Sequence, residues 1–227
     1  MALDEVSGVR SASRPMATPV ALPSPRLGLG RVAKRLLDLV SALVILVPAA
    51  LPMLAMAVAV RISSPGPVLF RQPRVGMNGR LFTSYKFRSM YIDAENRIAE
   101  VAHLNEAGGP LFKSRRDPRI TPLGRLLRRS SLDELAQLFN VLRGEMSMVG
   151  PRPGLMSEVL QYEPHHLNRL TVRPGLTGLW QVSGRSELPF QEMMRLDMEY
   201  IARRSLWFDA WLLLRTVPAV LSGRGAF

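Results

Sequence analysis

The sequence predicts an α/β chain, mainly helical with one small β-hairpin. An N-terminal re-entrant membrane helix precedes a compact cytosolic domain with interfacial amphipathic helices. Three observations carry that reading. Leu36 to Val60 is an almost unbroken apolar run. Two alternating segments flank the turn Gly76-Met77-Asn78-Gly79, as hairpin strands do. Further on, apolar residues recur at helical spacing, with Leu132, Leu135, Ala136, Phe139 and Leu142 on one stripe. The 227 residues divide into a disordered basic tail (1–30), the membrane helix (31–62) and the cytosolic domain (63–227).

Residues 1–30 are rich in Ser, Pro, Ala and Gly, with scattered arginines and no apolar period. Such a composition buries too little surface to fold. The apolar run holds a single charge, Asp38. About 25 helical residues at ~1.5 Å each are enough to cross a hydrocarbon core of ~30 Å. Pro48 and Pro52 stand at its middle, where each removes a backbone donor and bends a helix. Both flanks are basic: Arg31, Lys34 and Arg35 precede the run, and Arg61, Arg71, Arg74 and Arg80 follow it. Cationic flanks favour the cytoplasmic side, so a bent helix that returns to the side it left satisfies both. A single plain crossing is the simpler alternative. A cleaved signal peptide fits poorly, because the run is long and starts late.

Ser64-Pro65-Gly66-Pro67 breaks the helix, Val68-Leu69-Phe70 opens a strand, and Leu81 to Arg88 returns. Lys86 and Arg88 share one face of that strand, where they either meet one anion together or stay solvated. Residues 91–106 read as a helix ended by Ala107-Gly108-Gly109-Pro110, and further helices cover residues 123–129 and 132–142. Leu206 to Arg215 mixes tryptophans, aliphatics and charges, which suits a helix in the headgroup layer or a core helix equally.

The most informative feature is the acidic pair Asp133-Glu134 in a chain with 30 Lys+Arg against 18 Asp+Glu. Arg125, Arg128 and Arg129 lie just upstream, and Arg152 stands downstream between Pro151 and Pro153. Carboxylates among guanidinium groups stay ionised, and they can attack a phosphorylated substrate or hold a metal against it. A purely structural reading competes. Ser131-x-x-Glu134 has capping-box form, with Asp133 in a first turn where the helix dipole favours negative charge. Adjacent helical residues project about 100° apart, so the two carboxylates cannot share one task. Attacking group and metal ligand is a division that fits. Arg173 is placed by the turn Pro174-Gly175, and Gly178, Gly184 and Arg185 continue a Gly/Arg-rich loop in which Trp180 or Gln181 can contact a flat base. Asp197 can pair with one of those arginines. His103, His165 and His166 show no metal spacing.

The net charge of +12 and a pI near 11.3 point to an anionic partner: nucleic acid, a phosphorylated small molecule or an acidic lipid surface. Against nucleic acid, the chain lacks the interleaved aromatic and basic pattern of single-strand binders, and its apolar segment would go unexplained. With no cysteine, disulfides and thiolate metal sites are excluded. A membrane-bound scaffold without activity is the remaining rival to an enzyme.

Seven segments, taken in order, resemble the bacterial sugar transferase family, the monotopic polyprenyl-phosphate hexose-1-phosphate transferases. They are Lys34-Arg35-Leu36-Leu37-Asp38, Ser64-Pro65-Gly66-Pro67-Val68-Leu69-Phe70, Tyr85-Lys86-Phe87-Arg88-Ser89-Met90, Arg128-Arg129-Ser130-Ser131-Leu132-Asp133-Glu134-Leu135, Gln137-Leu138-Phe139-Asn140-Val141-Leu142, Met146-Ser147-Met148-Val149-Gly150-Pro151-Arg152-Pro153 and Val172-Arg173-Pro174-Gly175-Leu176-Thr177-Gly178. The resemblance covers residues 31–226. It implies transfer of a sugar-1-phosphate from a UDP-sugar to undecaprenyl phosphate with release of UMP. It places the chain at the cytoplasmic face of the bacterial inner membrane, among its lipids, at the first membrane step of exopolysaccharide or O-antigen assembly. It also implies Asp133 as the nucleophile that forms an aspartyl phosphosugar, and Glu134 as the ligand of Mg²⁺. Lys86, Arg128, Arg152, Arg173 and Asp197 complete the implied polar site. In that family the re-entrant helix breaks near a Ser-Pro pair; here Val47-Pro48 and Leu51-Pro52 supply no serine. Large members carry four further transmembrane helices ahead of this core, so the chain reads as a minimal form. The motif wording, including Leu179-Trp180-Gln181-Val182-Ser183-Gly184-Arg185, leans toward galactose- or glucose-phosphate transfer. The hexose and the oligomeric state are not legible, and a homodimer is compatible with the sequence.

Overall fold

The computed structural model describes residues 29–106, 112 and 114–226. The predicted tail up to residue 28 and the turn at 107–110 lie outside the described residues. Helix α1 runs from Leu29 to Ser63 as one element, with Pro48 and Pro52 inside it. One face is packed, with Asp38, Ala42, Met53 and Val60 buried; Val40, Val44, Val47, Leu51, Leu54, Val58 and Ile62 stay exposed. Among the described residues this is the one helix long and apolar enough to cross a membrane, its mean hydropathy reaching 2.6. An exposed apolar stripe of that extent marks a surface that meets lipid or protein, which an ordinary core helix does not have.

Both ends of α1 are bonded to the same domain. Near its start, Arg35 donates to the carbonyls of Val141 (2.7 Å) and Leu142 (2.8 Å). Near its end, Val60 packs in one cluster with Phe87, Leu127 and Ala136. There the Arg88 guanidinium donates to the carbonyls of Ser64 (2.7 Å) and Pro65 (2.9 Å), closing acceptors that a helix end leaves open. Arg88 is buried with its guanidinium bonded at the end of α1, whereas Lys86 on the same strand pairs with Glu134.

Asp38 explains how one charge is tolerated in the apolar run. Its Oδ1 accepts from Lys34 Nζ (2.7 Å), Ser147 Oγ (2.9 Å) and the Met148 backbone N–H (3.0 Å). Lys34 also reaches Asp209 at 3.0 Å, and the Tyr200 hydroxyl donates to Asp209 at 2.9 Å.

Strands β1 (Leu69–Val75) and β2 (Leu81–Phe87) form the expected antiparallel hairpin, with Leu69 opposite Phe87 and Val75 opposite Leu81. Asn78 and Gly79 both take positive φ in its turn, as a tight hairpin requires. A second sheet was not legible: β3 (Ser147–Val149) pairs in parallel with β4 (Gly175–Thr177). Strands of three residues are too short to show alternation in the sequence. Glycine permits the close approach there, since a Cβ on Gly175 would lie 2.1 Å from the Gly150 nitrogen.

Residues 92–101 are a train of turns bonded three apart, such as Ala94 to Tyr91 and Val101 to Ile98; the helix predicted over 91–106 does not form. Ala94 and Val101 are buried while Ile92 and Ile98 are exposed, so no continuous apolar face is packed, and a short helix needs one. Helix α2 (Pro122–Arg129) starts with Pro122 after Thr121, whose hydroxyl accepts from the Gly124 N–H at 2.9 Å. Then come α3 (Leu138–Arg143), α4 (Met156–Val159), α5 (Leu179–Ser183), α6 (Phe190–Arg203) and α7 (Leu206–Ser222). The main core joins Leu138, Val141, Met146, Met148, Leu179, Met193, Tyr200 and Leu212, with Ala42 of α1 as its lid. Helix α7 has two faces: Asp209 and Leu212 are buried, whereas Trp207, Leu214 and Leu221 are exposed.

Asp38→Ala removes the acceptor that ties α1 to β3 and leaves a part-buried ammonium with one partner. It is expected to lower unfolding stability in detergent by about 3 kcal/mol. A loss below about 1 kcal/mol, the range of an exposed pair, would show that the anchor is elsewhere.

Candidate active site

The acidic pair sits in the junction between α2 and α3. Ser130 caps α2, and Ser131 then adopts a left-handed conformation (φ 56°, ψ 16°). The chain continues as a 3-10 helix, Leu132–Gln137, and becomes α-helical only at Leu138, so the α-helix expected from 132 starts late. No capping box forms. The Ser131 hydroxyl accepts from Arg185 instead, and the Glu134 carboxylate turns to other partners. With three residues per turn, neighbouring side chains point about 120° apart. Ala136 belongs to a buried cluster that includes Met53 and Val60 of α1, while Asp133 and Glu134 line a cavity of about 1190 Å³.

Glu134 Oε1 accepts from Lys86 Nζ at 2.7 Å and from Arg152 Nη1 at 3.0 Å. Burial alone would raise its pKa, but Lys86 and then Arg152 outweigh burial and hold the carboxyl well below the usual range. Asp133 behaves in the opposite way. It is only 6% exposed, and among the described residues none donates a hydrogen bond to it. Burial pushes its pKa up, the Glu134 charge adds to that, and Lys86, Arg128 and Arg152 counter it only in part. The two carboxyls thus sit in different electrostatic settings, Glu134 held down by its cations and Asp133 pushed up by burial.

Of the other predicted site residues, Lys86, Arg128 and Arg152 line the same cavity. Arg128 is steadied by donating from Nε to Ser89 Oγ at 2.9 Å. Arg173 is exposed and lies outside the cavity lining. Asp197 is fully buried behind the wall, where its Oδ2 accepts from Arg169 at 2.6 Å. Its pKa is pushed up to about 6 by burial, against the pull of Arg169. The partner of Asp197 is therefore Arg169, which precedes the Gly/Arg-rich loop.

Arg169 also donates to the Arg152 carbonyl (2.8 Å) and the Tyr162 hydroxyl (2.6 Å), so it braces the segment that carries Arg152. Arg74 lines the cavity and donates to the Pro153 carbonyl at 3.1 Å; burial first and Arg152 second lower its pKa to about 10. Sequence reasoning passed over both arginines. Arg74 appeared only as a basic flank, and Arg169 had no turn or proline to mark it. Glu163, His165 and His166 bring ligand atoms within 4.8 Å of one another, a grouping their spacing did not suggest, but outside the cavity lining.

The donor set fits Mg²⁺. Glu134 Oε2 and both Asp133 oxygens accept no hydrogen bond among the described residues, leaving hard oxygens beside a cationic wall. Mg²⁺ takes one or two carboxylates and completes its shell with water and substrate phosphate oxygens. With Glu134 already neutralised, Arg74, Arg128 and Arg185 add positive charge to the cavity wall, which suits a diphosphate.

The structure thus joins a long, exposed apolar helix to a domain whose cationic cavity is lined by two adjacent carboxylates. The sequence profile of the bacterial sugar transferase family matches residues 29–223, and the chain belongs to that family. It is 43% identical over 196 residues to the galactosyl transferase CpsE of Streptococcus agalactiae, covering 86% of this chain and 43% of that protein. It is 38% identical over 225 residues to the exopolysaccharide production protein ExoY of Rhizobium meliloti, covering 97% of this chain and 99% of that one. It is 43% identical over 204 residues to the UDP-glucose:undecaprenyl-phosphate glucose-1-phosphate transferase of Xanthomonas campestris, covering 86% of this chain and 40% of that protein. The chain thus spans well under half the length of the first and third, and almost all of the second.

Because its folded pKa lies below the ordinary 4.5, Glu134 stabilises the fold fully above that pH and loses the contribution as acid protonates it. The Glu134→Gln variant should therefore show a shallower fall of unfolding stability below pH 4.5 than the wild type. Identical acid limbs in denaturant titrations would contradict the pairing.

Proposed function

We propose that the chain transfers a hexose-1-phosphate from a UDP-sugar to undecaprenyl phosphate, releasing UMP, as the first membrane step of exopolysaccharide or O-antigen assembly. The observation that carries this reading is the asymmetry of the acidic pair: one carboxylate is neutralised by two cations, and its buried neighbour in the same cationic cavity has no donor among the described residues. The names of the family relatives support it. In the proposed reaction an Asp133 oxygen attacks the β-phosphorus of the nucleotide sugar. As that O–P bond forms, the bond from the same phosphorus to the bridging oxygen breaks, and the bridging oxygen leaves with UMP. A phosphate oxygen of undecaprenyl phosphate then attacks that phosphorus, and the Asp133 carboxylate departs.

Lys86, Arg128 and Arg152 face the charge that develops on the phosphoryl oxygens. Asp197 acts through Arg169, which holds the Arg152 carbonyl, and Arg173 meets the substrate from the solvent side. Glu134 would hold Mg²⁺, which when bound would add to the neutralisation of the diphosphate. Asp133 must be deprotonated to attack. Its raised pKa makes turnover increase with pH until the group is ionised, and a cationic ligand lowers that threshold.

The membrane arrangement we infer is a re-entrant α1 with both ends at the cytoplasmic face of the inner membrane. Arg35 at one end and Ser64 at the other are both bonded to one domain, which cannot lie on two sides of a bilayer. Basic flanks at both ends agree.

Asp133→Asn should lower UMP release from a UDP-sugar and polyprenyl phosphate by more than about 10⁴-fold. With radiolabelled sugar nucleotide and no lipid, the wild type should retain label on the protein and the variant none. Lipid-linked product from the variant at wild-type rate would refute a covalent Asp133 step. For topology, the chain has no cysteine of its own. Single cysteines in the N-terminal tail and after Arg61 should both react with a probe from the cytoplasmic side, whereas labelling of either from outside would establish a crossing helix.

A further inference from the structure

Ser131 occupies a position where a helix ends most readily with glycine. It follows the Ser130 cap of α2, and its backbone is left-handed, a conformation that costs an L-residue energy but costs glycine none. Only Asn78, Ser131 and Arg185 have positive φ among the described non-glycine residues. Asn78 is a hairpin turn residue. The other two are bonded to each other, Arg185 Nη2 donating to Ser131 Oγ. Arg185 Nη1 also reaches the Ala219 carbonyl of α7 at 3.4 Å, and Gly225, just beyond α7, packs against the Arg185 side chain. Two strained residues, far apart in sequence, thus brace one another beside the acidic pair, and one of them is tied to the C-terminal helix.

We propose that Arg185 is a positioning residue. By holding Ser131 left-handed, it sets the direction in which the chain enters Leu132–Gln137, and so aims Asp133 into the cavity. A glycine at 131 would keep this turn unaided. Serine keeps it only while its hydroxyl is engaged, which makes the turn conditional on the 184–187 segment and on the seating of α7. The proposal rests on the functional reading above for the meaning of Asp133, but it concerns placement and not chemistry. Its competitor is direct contact between the Arg185 guanidinium and a substrate phosphate, since Arg185 also lines the cavity.

A rescue experiment separates the two. Arg185→Asn retains a residue that tolerates positive φ but is too short to reach Ser131. With UDP-sugar and polyprenyl phosphate, kcat for UMP release should fall by about 5- to 30-fold, the factor set by the left-handed preference of one residue, while KM for the UDP-sugar stays near its wild-type value. Adding Ser131→Gly to Arg185→Asn should return kcat to within about threefold of wild type, because glycine restores the turn without the bond. If the double variant stays as slow as Arg185→Asn, positioning through Ser131 is wrong and the guanidinium acts on substrate. Should Arg185→Asn fail to fold, Ser131→Ala and Ser131→Gly decide the matter in the native background. Both lack the hydroxyl, yet the alanine should be slow and the glycine fast, and equal rates overturn the proposal. Wild-type protein that releases no UMP would instead count against the functional reading.

Discussion

One oxygen of Glu134 accepts from Lys86 on β2 and from Arg152 beyond β3, and three separate pieces of the chain meet at that atom. A carboxylate largely withdrawn from solvent costs free energy unless it is paired, so the pairing supports the fold as well as shaping the cavity. It fixes the hairpin against the 3-10 helix, and the helix against the loop that carries Arg152. Taking Glu134 away would leave two cations facing each other with nothing between them. Asp133 is affected from the other direction. The neighbour that absorbs the nearest positive charge leaves Asp133 buried with its own charge undercompensated, which is where a carboxylate is most sensitive to what binds beside it.

Buried ions are handled in the same way elsewhere in the molecule. Asp38 in the apolar helix is met by Lys34, Ser147 and a backbone N–H. Asp197 is met by Arg169, which passes the constraint on to the Arg152 carbonyl and to Tyr162. Arg119 closes on Asp117 and on the Ala94 carbonyl, holding the irregular 92–101 segment to the start of α2. The Lys34–Asp38 and Arg119–Asp117 pairs are local, and the bonds of Asp38 with Ser147 and of Arg119 with the Ala94 carbonyl carry them across to distant segments, as the bond of Arg169 with Asp197 does directly.

The apolar helix, the hairpin and the cationic setting of Asp133 and Glu134 were legible, because each is written in a local period or a local cluster. The remainder depends on contacts between distant segments. Nothing near Arg88 says that it will turn to the end of α1, and nothing near Arg169 names Asp197 as its partner. The capping box at Ser131 failed for the same reason: a guanidinium fifty-four positions away claims the hydroxyl that a helix start would use. Strands of three residues are too short to carry a readable alternation, so β3 and β4 were invisible. The helix expected over residues 91–106 had sufficient propensity, but no packed face to stabilise it.

Ala136 belongs to the same short turn as Glu134, and it packs in one cluster with Met53 and Val60 of α1. Whatever fixes the depth of α1 therefore fixes the altitude of the acidic pair, with no flexible tether between them. Under the proposed function, an acceptor dissolved in the leaflet would come to that altitude by lateral diffusion, without being lifted into water. Its effective concentration would then be a mole fraction in two dimensions, and the amount of inert lipid around it would matter more than the volume of the solution.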